Sequence, residues 1–284
     1  MEKNILENVE KTILEFHESD NEENLKTWSE VFKLLEHLNA CFKEFKTEIY
    51  NILDFNSNFD KILGKSINRI FRNYNEIVCL LKNGFPEAAL ARWRTLYENI
   101  IIVIYILMQD DKERMANSYI ENQEIIDLKN LKKYIEYSEK SESELEKINI
   151  KVEDLDKENL NKKVKDYSWS GKNSFKEIQD SINIGDYYIY YATASWCIHS
   201  GNYKSLILLE SYEGDETYLR SKYLTDLVIG VTIGICTYFF LNIIKYKNIN
   251  KNENIKKLLE LLLILRACIL KKTEKIIANI YNNA

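Results

Sequence analysis

Gly84-Phe-Pro-Glu-Ala-Ala-Leu-Ala-Arg-Trp-Arg-Thr-Leu-Tyr-Glu-Asn99 runs directly into Ile100-Ile-Ile-Val-Ile-Tyr-Ile-Leu-Met108. Gly84 breaks the helix before it. Pro86, the only proline in the chain, stands where a first helical turn tolerates a missing N–H. The spacing predicts a helix over 86–108. Its apolar residues leave no polar face wide enough for solvent, so it reads as the buried centre of a core. Yet its first turns carry Arg92, Arg94 and Glu98. A charge on a buried helix is costly unless paired. Arg94 and Glu98 are four residues apart and share a face, whereas Arg92 and Trp93 point elsewhere.

Composition agrees with a helical reading. The 284 residues include 8 glycines and 1 proline, too few for the many turns of a sandwich or an α/β fold. Long Leu/Ile/Lys/Glu runs point instead to an all-α single bundle of long helices around the helix at 86–108. The net charge of −5 gives no support to non-specific nucleic-acid binding, although a local basic patch stays compatible with it. The five cysteines form no CxxC pair and read as small apolar core residues in a reducing cytosol. Met1–Glu10 is polar and acidic, unlike a signal peptide. The abundance of Lys, Asn and Ile suggests an AT-rich bacterial genome, and a cytoplasmic setting is expected.

Outward from the central helix, apolar periodicity predicts helices over Glu2–Phe16, Leu25–Leu53 and Phe59–Leu81, with an acidic break at His17–Glu23. After it come a helix from Lys112 to about Tyr137, capped by Asp110 or Asp111, and a polar, Lys/Glu-rich helical excursion at 138–166. Ser174 caps a short helix, Phe175–Ile184, which Gly185 ends. An aromatic helix covers Asp186–Ser200. Asp215 caps a long helix, Glu216–Lys247, and an amphipathic helix, Ile255–Tyr281, closes the chain. Within the long helix, Leu227–Ile244 is uncharged and near the minimum for a membrane span. Its scattered Thr, Tyr and Asn favour a buried core helix. The expected organisation is an N-terminal helical hairpin (1–57) packed on a core bundle (58–247), with a C-terminal amphipathic helix (248–284).

Three constellations could carry chemistry. Arg92, Arg94, Tyr97 and Glu98 either fix helix register through an ion pair or grip an anion, for which arginine's planar fork is suited. His199, with Ser195, Ser200 and Asn202 nearby, is either a helix C-terminal cation or an acid–base group. His17 and His37 read as structural. Ser195 and His199 are one turn apart, but no G-x-S-x-G accompanies them, which argues against a hydrolase triad. The third is aromatic density: Trp169, Tyr187, Tyr188, Tyr190, Tyr191 and Trp196. No metal motif, P-loop or G-x-G-x-x-G occurs, so neither metal nor cofactor is expected.

Gly84-Phe-Pro-Glu-Ala-Ala-Leu-Ala-Arg-Trp-Arg-Thr-Leu-Tyr-Glu98, with Tyr191-Ala-Thr-Ala-Ser-Trp-Cys-Ile-His199 and the linking Trp169-Ser-Gly-Lys-Asn173, resembles a mostly bacterial helical family, the domain of unknown function numbered 5677. The resemblance covers roughly Ile67 to Lys245. It supports the location of a site and implies no particular reaction. The chain is more loosely similar to HEPN helical bundles, which include ribonucleases of toxin and phage-defence systems. Their signature places an Arg four to six residues before His. The six residues before His199, Thr193 to Ile198, contain no arginine, so one would have to come from Arg92 or Arg94.

The function expected from these readings is a helical binding or effector module of a bacterial defence or stress system, with Arg94, Glu98 and His199 at its centre. Arg92, Tyr97, Trp169, Tyr191, Ser195 and Asn202 are the expected ligand contacts. The alternatives are a metal-independent HEPN-like ribonuclease and a purely structural or interaction bundle. The expected partners are RNA or a small anionic ligand, with a homodimer as a further option and a membrane disfavoured.

Overall fold

The computed structural model describes residues 2–137, 146, 167–198, 222, 224–247, 249 and 252–282, with side chains from Glu22 onward except at 129, 132, 134–137, 186, 281 and 282. Among the described residues the fold is all-α. The helices are α1 (Glu2–Tyr50), α2 (Asn58–Lys82), α3 (Pro86–Leu107), α4 (Lys112–Tyr137), α5 (Phe175–Ile182), α6 (Tyr188–Trp196), α7 (Thr225–Tyr246) and α8 (Glu253–Asn282). Short 3-10 helices cover Ser168–Ser170 and Gly185–Tyr187. The excursion at 138–166 lies outside the described residues apart from Glu146.

Two compact units divide the chain. The first comprises Met1–Leu53, Leu63–Ile104 and Gly185–Ala284; the second comprises Asp54–Ile62 and Tyr105–Ile184. In the first unit α1 and α8 lie antiparallel. Glu48 meets Asn254, Cys41 meets Leu258, and Glu30 pairs with Lys272. The α1 stripe Trp28, Phe32, Leu35, Leu38, Phe42, Phe45 and Ile49 is buried, as its helical spacing demands. Phe42 and Phe45 both stack on Phe240 of α7, at 5.0 and 4.9 Å between centroids. Within this unit α3 is apolar nearly all round and is buried accordingly, from Ala89 and Leu90 through Ile104. Helix α7 is long and apolar enough to cross a membrane, and 67% of its apolar window is buried against the protein.

Several boundaries differ from the sequence reading. The acidic stretch His17–Glu23 is not a break, because α1 runs through it. Asp, Glu, Ser and Asn lower helix propensity only modestly, and no Gly or Pro interrupts the stretch. Buried Asn24 in α1 donates to the carbonyls of Leu81 and Lys82, at 2.9 and 3.3 Å, and so caps the end of α2. Helix α5 ends at Asn183, which takes the left-handed conformation (φ 55°), so Gly185 is not its terminator. Helix α7 starts at Thr225, because Leu224 has φ 59° and no α-helix continues through such a residue. The proposed cap Asp215 lies outside the described residues. Two cysteines also depart from expectation. Cys41 and Cys236 are buried, but Cys79 and Cys268 are exposed, since each falls on the outer face of an amphipathic helix.

In the second unit, Ser57 caps α2 by accepting the Asp60 N–H at 3.1 Å. Glu113, in the first turn of α4, ties that cap down. Its carboxylate accepts from the Ser57 hydroxyl and the Asn58 N–H, both at 2.7 Å, and from the Phe59 N–H at 3.1 Å. The Ser57 hydrogen bond and the two amides hold the Glu113 carboxyl below its ordinary value of 4.5, against the opposing effect of burial. A depressed carboxylate contributes stability above its unfolded pKa, and that contribution is lost as pH falls through the folded one. Glu113→Gln should therefore lower stability at neutral pH and leave acid stability nearly unchanged. Urea melts at the two pH values check this; a loss equal at both would remove the charge from the explanation.

Candidate functional site

Arg94 and Glu98 project from adjacent turns of α3 in the first unit, and Tyr191 of α6 closes over them. Arg94 Nε donates to Glu98 Oε1 at 2.9 Å, and the Tyr191 hydroxyl donates to the same oxygen at 2.7 Å. Arg94 Nη2 donates to the Tyr191 hydroxyl at 3.1 Å. The guanidinium carbon also stands 4.9 Å from the Tyr191 ring centroid. Three polar groups thus form a closed triangle of hydrogen bonds.

The triangle rests on stacked aromatic rings. Trp93 and Tyr97 stack at 5.1 Å, and Tyr187 lies nearly parallel to both at 6.3 and 5.9 Å. Tyr191 tilts against Tyr97 at 5.6 Å. Trp93 and Tyr97 are fully buried, so the wall behind the polar groups is rigid and dry. The Tyr187 hydroxyl abuts Gly234 of α7 so closely that a Cβ there would overlap it, while its ring carbon Cζ stays at an ordinary 3.5 Å. This explains Gly234 in the middle of a helix. Alanine at 234 gains up to about 1 kcal/mol of helix propensity but meets an overpacking cost of about 1–3 kcal/mol. Gly234→Ala should therefore destabilise the wild type and stabilise a Tyr187→Phe background. Chemical denaturation of the four proteins in this cycle reads the change of sign.

Burial, and then the Glu98 carboxylate beside it, push the Tyr191 phenol well above the ordinary tyrosine range, so it remains a donor. Burial works against the charge of Arg94, but the hydrogen bond and charge of Glu98 more than offset it and raise its pKa. The pair is not sealed. The side chains of Arg94 and Glu98 are 23% and 32% exposed. At such exposure the ion pair contributes at most about 1 kcal/mol to stability. Arg94 Nη1 has no hydrogen-bond partner among the described residues.

The other residues singled out by sequence divide. Arg92 does not join Arg94; it pairs with Glu76 of α2, and its Nη2 donates to Asn73 Oδ1 at 2.8 Å. Tyr97 belongs to the wall. The Ser195 hydroxyl donates to the Tyr191 carbonyl one turn back at 2.8 Å, which occupies its proton in the helix. Trp169 is in the second unit, edge-on to Tyr105 and Tyr119 at 5.7 and 4.9 Å. His199 and Asn202 lie outside the described residues. The Glu76 and Asn73 partners of Arg92 were not found from sequence. Spacing encodes partners one turn apart and carries no signal for partners on another helix.

No characterised protein and no solved structure matches the chain. One family model does, over residues 60–214. The match takes in Arg94, Glu98, Trp169 and Tyr191, and it starts before Ile67 and stops short of Lys245. It covers more than half of the chain, and the chain therefore belongs to the family of unknown function DUF5677.

Proposed function

We propose that this protein is a helical binding module whose site is the Arg94–Glu98–Tyr191 cluster and whose ligand is a small anion carrying a carboxylate or phosphate. The observation that carries this reading is the openness of a cluster set against a rigid aromatic wall. Arg94 keeps part of its side chain in solvent and keeps Nη1 uncommitted among the described residues. A guanidinium already oriented by Glu98 and Tyr191 loses little freedom when it adds a charge-assisted hydrogen bond to an oxyanion. The setting proposed with it is a bacterial defence or stress system, supported by the likeness to HEPN bundles alone.

Thermal melts of wild type, Arg94→Ala and His199→Ala test it, each with and without inorganic phosphate and a 5′-mononucleotide, with chloride at matched ionic strength as reference. A ligand that binds only the folded state raises the melting temperature with concentration. An upward shift in wild type that Arg94→Ala abolishes supports the reading. A shift retained in Arg94→Ala rules it out. RNA incubated with the same proteins adds a separate arm. Cleavage by wild type, lost in both folded variants, would replace a binding module by a ribonuclease with His199 as acid–base and Arg94 stabilising the developing charge.

A further inference from the structure

The second unit holds a cleft of about 480 Å³ between the turn that precedes α4 and the 3-10 helix Ser168–Ser170. Its lining includes Asp110, Arg114, Ser118, Trp169 and Gly171. That volume lies in the lower half of the range for small-molecule sites. The rim carries both signs of charge. Asp110 and Arg114 line the same cleft, yet neither side chain has an ion-pair partner among the described residues. Asp111 is spent differently, its Oδ1 capping α4 through the Arg114 N–H at 2.9 Å.

The floor offers a donor. Trp169 is only 7% exposed, and its indole N–H has no hydrogen-bond partner among the described residues, although the ring lines the cleft. That N–H is open to the cleft, so an acceptor placed there can take its hydrogen bond. The ring itself is fixed. Tyr105 and Tyr119 meet it at 82° and 76°. The Tyr105 hydroxyl donates to the Ser170 carbonyl at 2.8 Å, and the Ser170 hydroxyl donates to the Tyr167 carbonyl at 2.7 Å and accepts from the Lys172 N–H at 3.2 Å. Gly171, at φ 70°, turns the chain out of the 3-10 helix. The cleft is preformed and does not need a ligand to shape it.

We infer that this cleft binds a small zwitterion of the amino-acid or aminoalkyl-phosphate class, its acid group on Arg114 and the Trp169 indole N–H and its ammonium on Asp110. A plain anion would face Asp110 unpaired, and a plain cation would face Arg114. A ligand carrying both charges satisfies the two rim groups and the indole together, and buries no unmatched charge. This site is separate from the Arg94 cluster and does not depend on its function.

The test is NMR of the full chain with labelled tryptophan. Its four indole N–H signals are few enough to assign, with Trp169→Phe identifying one by its disappearance. The probes are the proteinogenic L-amino acids and O-phosphoethanolamine, each added separately, with acetate, methylammonium and phosphate as single-charge controls. At least one zwitterion should shift the Trp169 indole signal saturably. Asp110→Ala and Arg114→Ala, both at exposed side chains, should each weaken that response at least about tenfold, equivalent to 1.4 kcal/mol, with thermal melts unchanged. No saturable shift from any zwitterion overturns the inference. So does an equal response to acetate, phosphate or methylammonium.

Discussion

Trp93→Ala is expected to lose about 3–5 kcal/mol of unfolding free energy, the range for emptying a buried tryptophan site. Trp93 is fully buried, stacked on Tyr97 and close to parallel with Tyr187, so its removal leaves a cavity walled by rings that are themselves packed and cannot collapse into it. The indole N–H adds a second expectation. It is buried and has no hydrogen-bond partner among the described residues. Phenylalanine keeps most of the ring area and removes a donor that is already unsatisfied. Trp93→Phe should therefore cost only about 1–2 kcal/mol, the scale of a reduction in ring size partly repaid by the lost donor. Urea denaturation monitored by circular dichroism reads both variants. A Phe variant as damaged as the Ala variant would mean that the indole N–H does have a partner in solution.

Trp28 supplies the contrast. It too is fully buried, on the α1 stripe, but its indole Nε1 donates to the Lys222 carbonyl at 3.1 Å. Trp28→Ala should again cost about 3–5 kcal/mol through the cavity. Trp28→Phe should cost more than Trp93→Phe by about 1 kcal/mol, because here a made hydrogen bond is lost and a carbonyl is left behind. The ranking of the two Phe variants matters more than either magnitude, since cavity terms of similar size subtract. Equal costs would put the Lys222 carbonyl in contact with water and the Trp28 hydrogen bond at no net value.

What was legible in the sequence follows from the range of the forces that write it. The centre of the fold was readable because α3 has a glycine break, one proline and an apolar run, all local signals. The stripe from Trp28 to Ile49 was readable because burial imposes a period. The Arg94–Glu98 pair was readable as one helical turn on one face. Tyr191 was identified as a ligand contact, but its hydroxyl bond to Glu98 was not, because the two residues are 93 apart and only packing brings them together. The same applies to Arg92 and Glu76. The supposed break at His17–Glu23 shows the opposite error. Charged residues do not by themselves end a helix, and no Gly or Pro interrupts this stretch. Unpaired rim charges such as Asp110 and Arg114 have no sequence signature at all, since being without a partner is a property of three-dimensional surroundings.

The most direct measurement is calorimetric titration of inorganic phosphate into wild type, Arg94→Ala and Glu98→Gln. Glutamine keeps an amide oxygen where Glu98 Oε1 accepts from Arg94 and Tyr191, and removes the negative charge beside the guanidinium. A phosphate about 4 Å from that carboxylate is repelled by about 1 kcal/mol in water, so Glu98→Gln should bind phosphate about fivefold more tightly than wild type. Arg94→Ala should not bind it. Binding that weakens in Glu98→Gln, or wild type and Glu98→Gln proteins both indifferent to phosphate, would contradict an anion site and leave Arg94, Glu98 and Tyr191 as a polar seam that fixes α6 on α3.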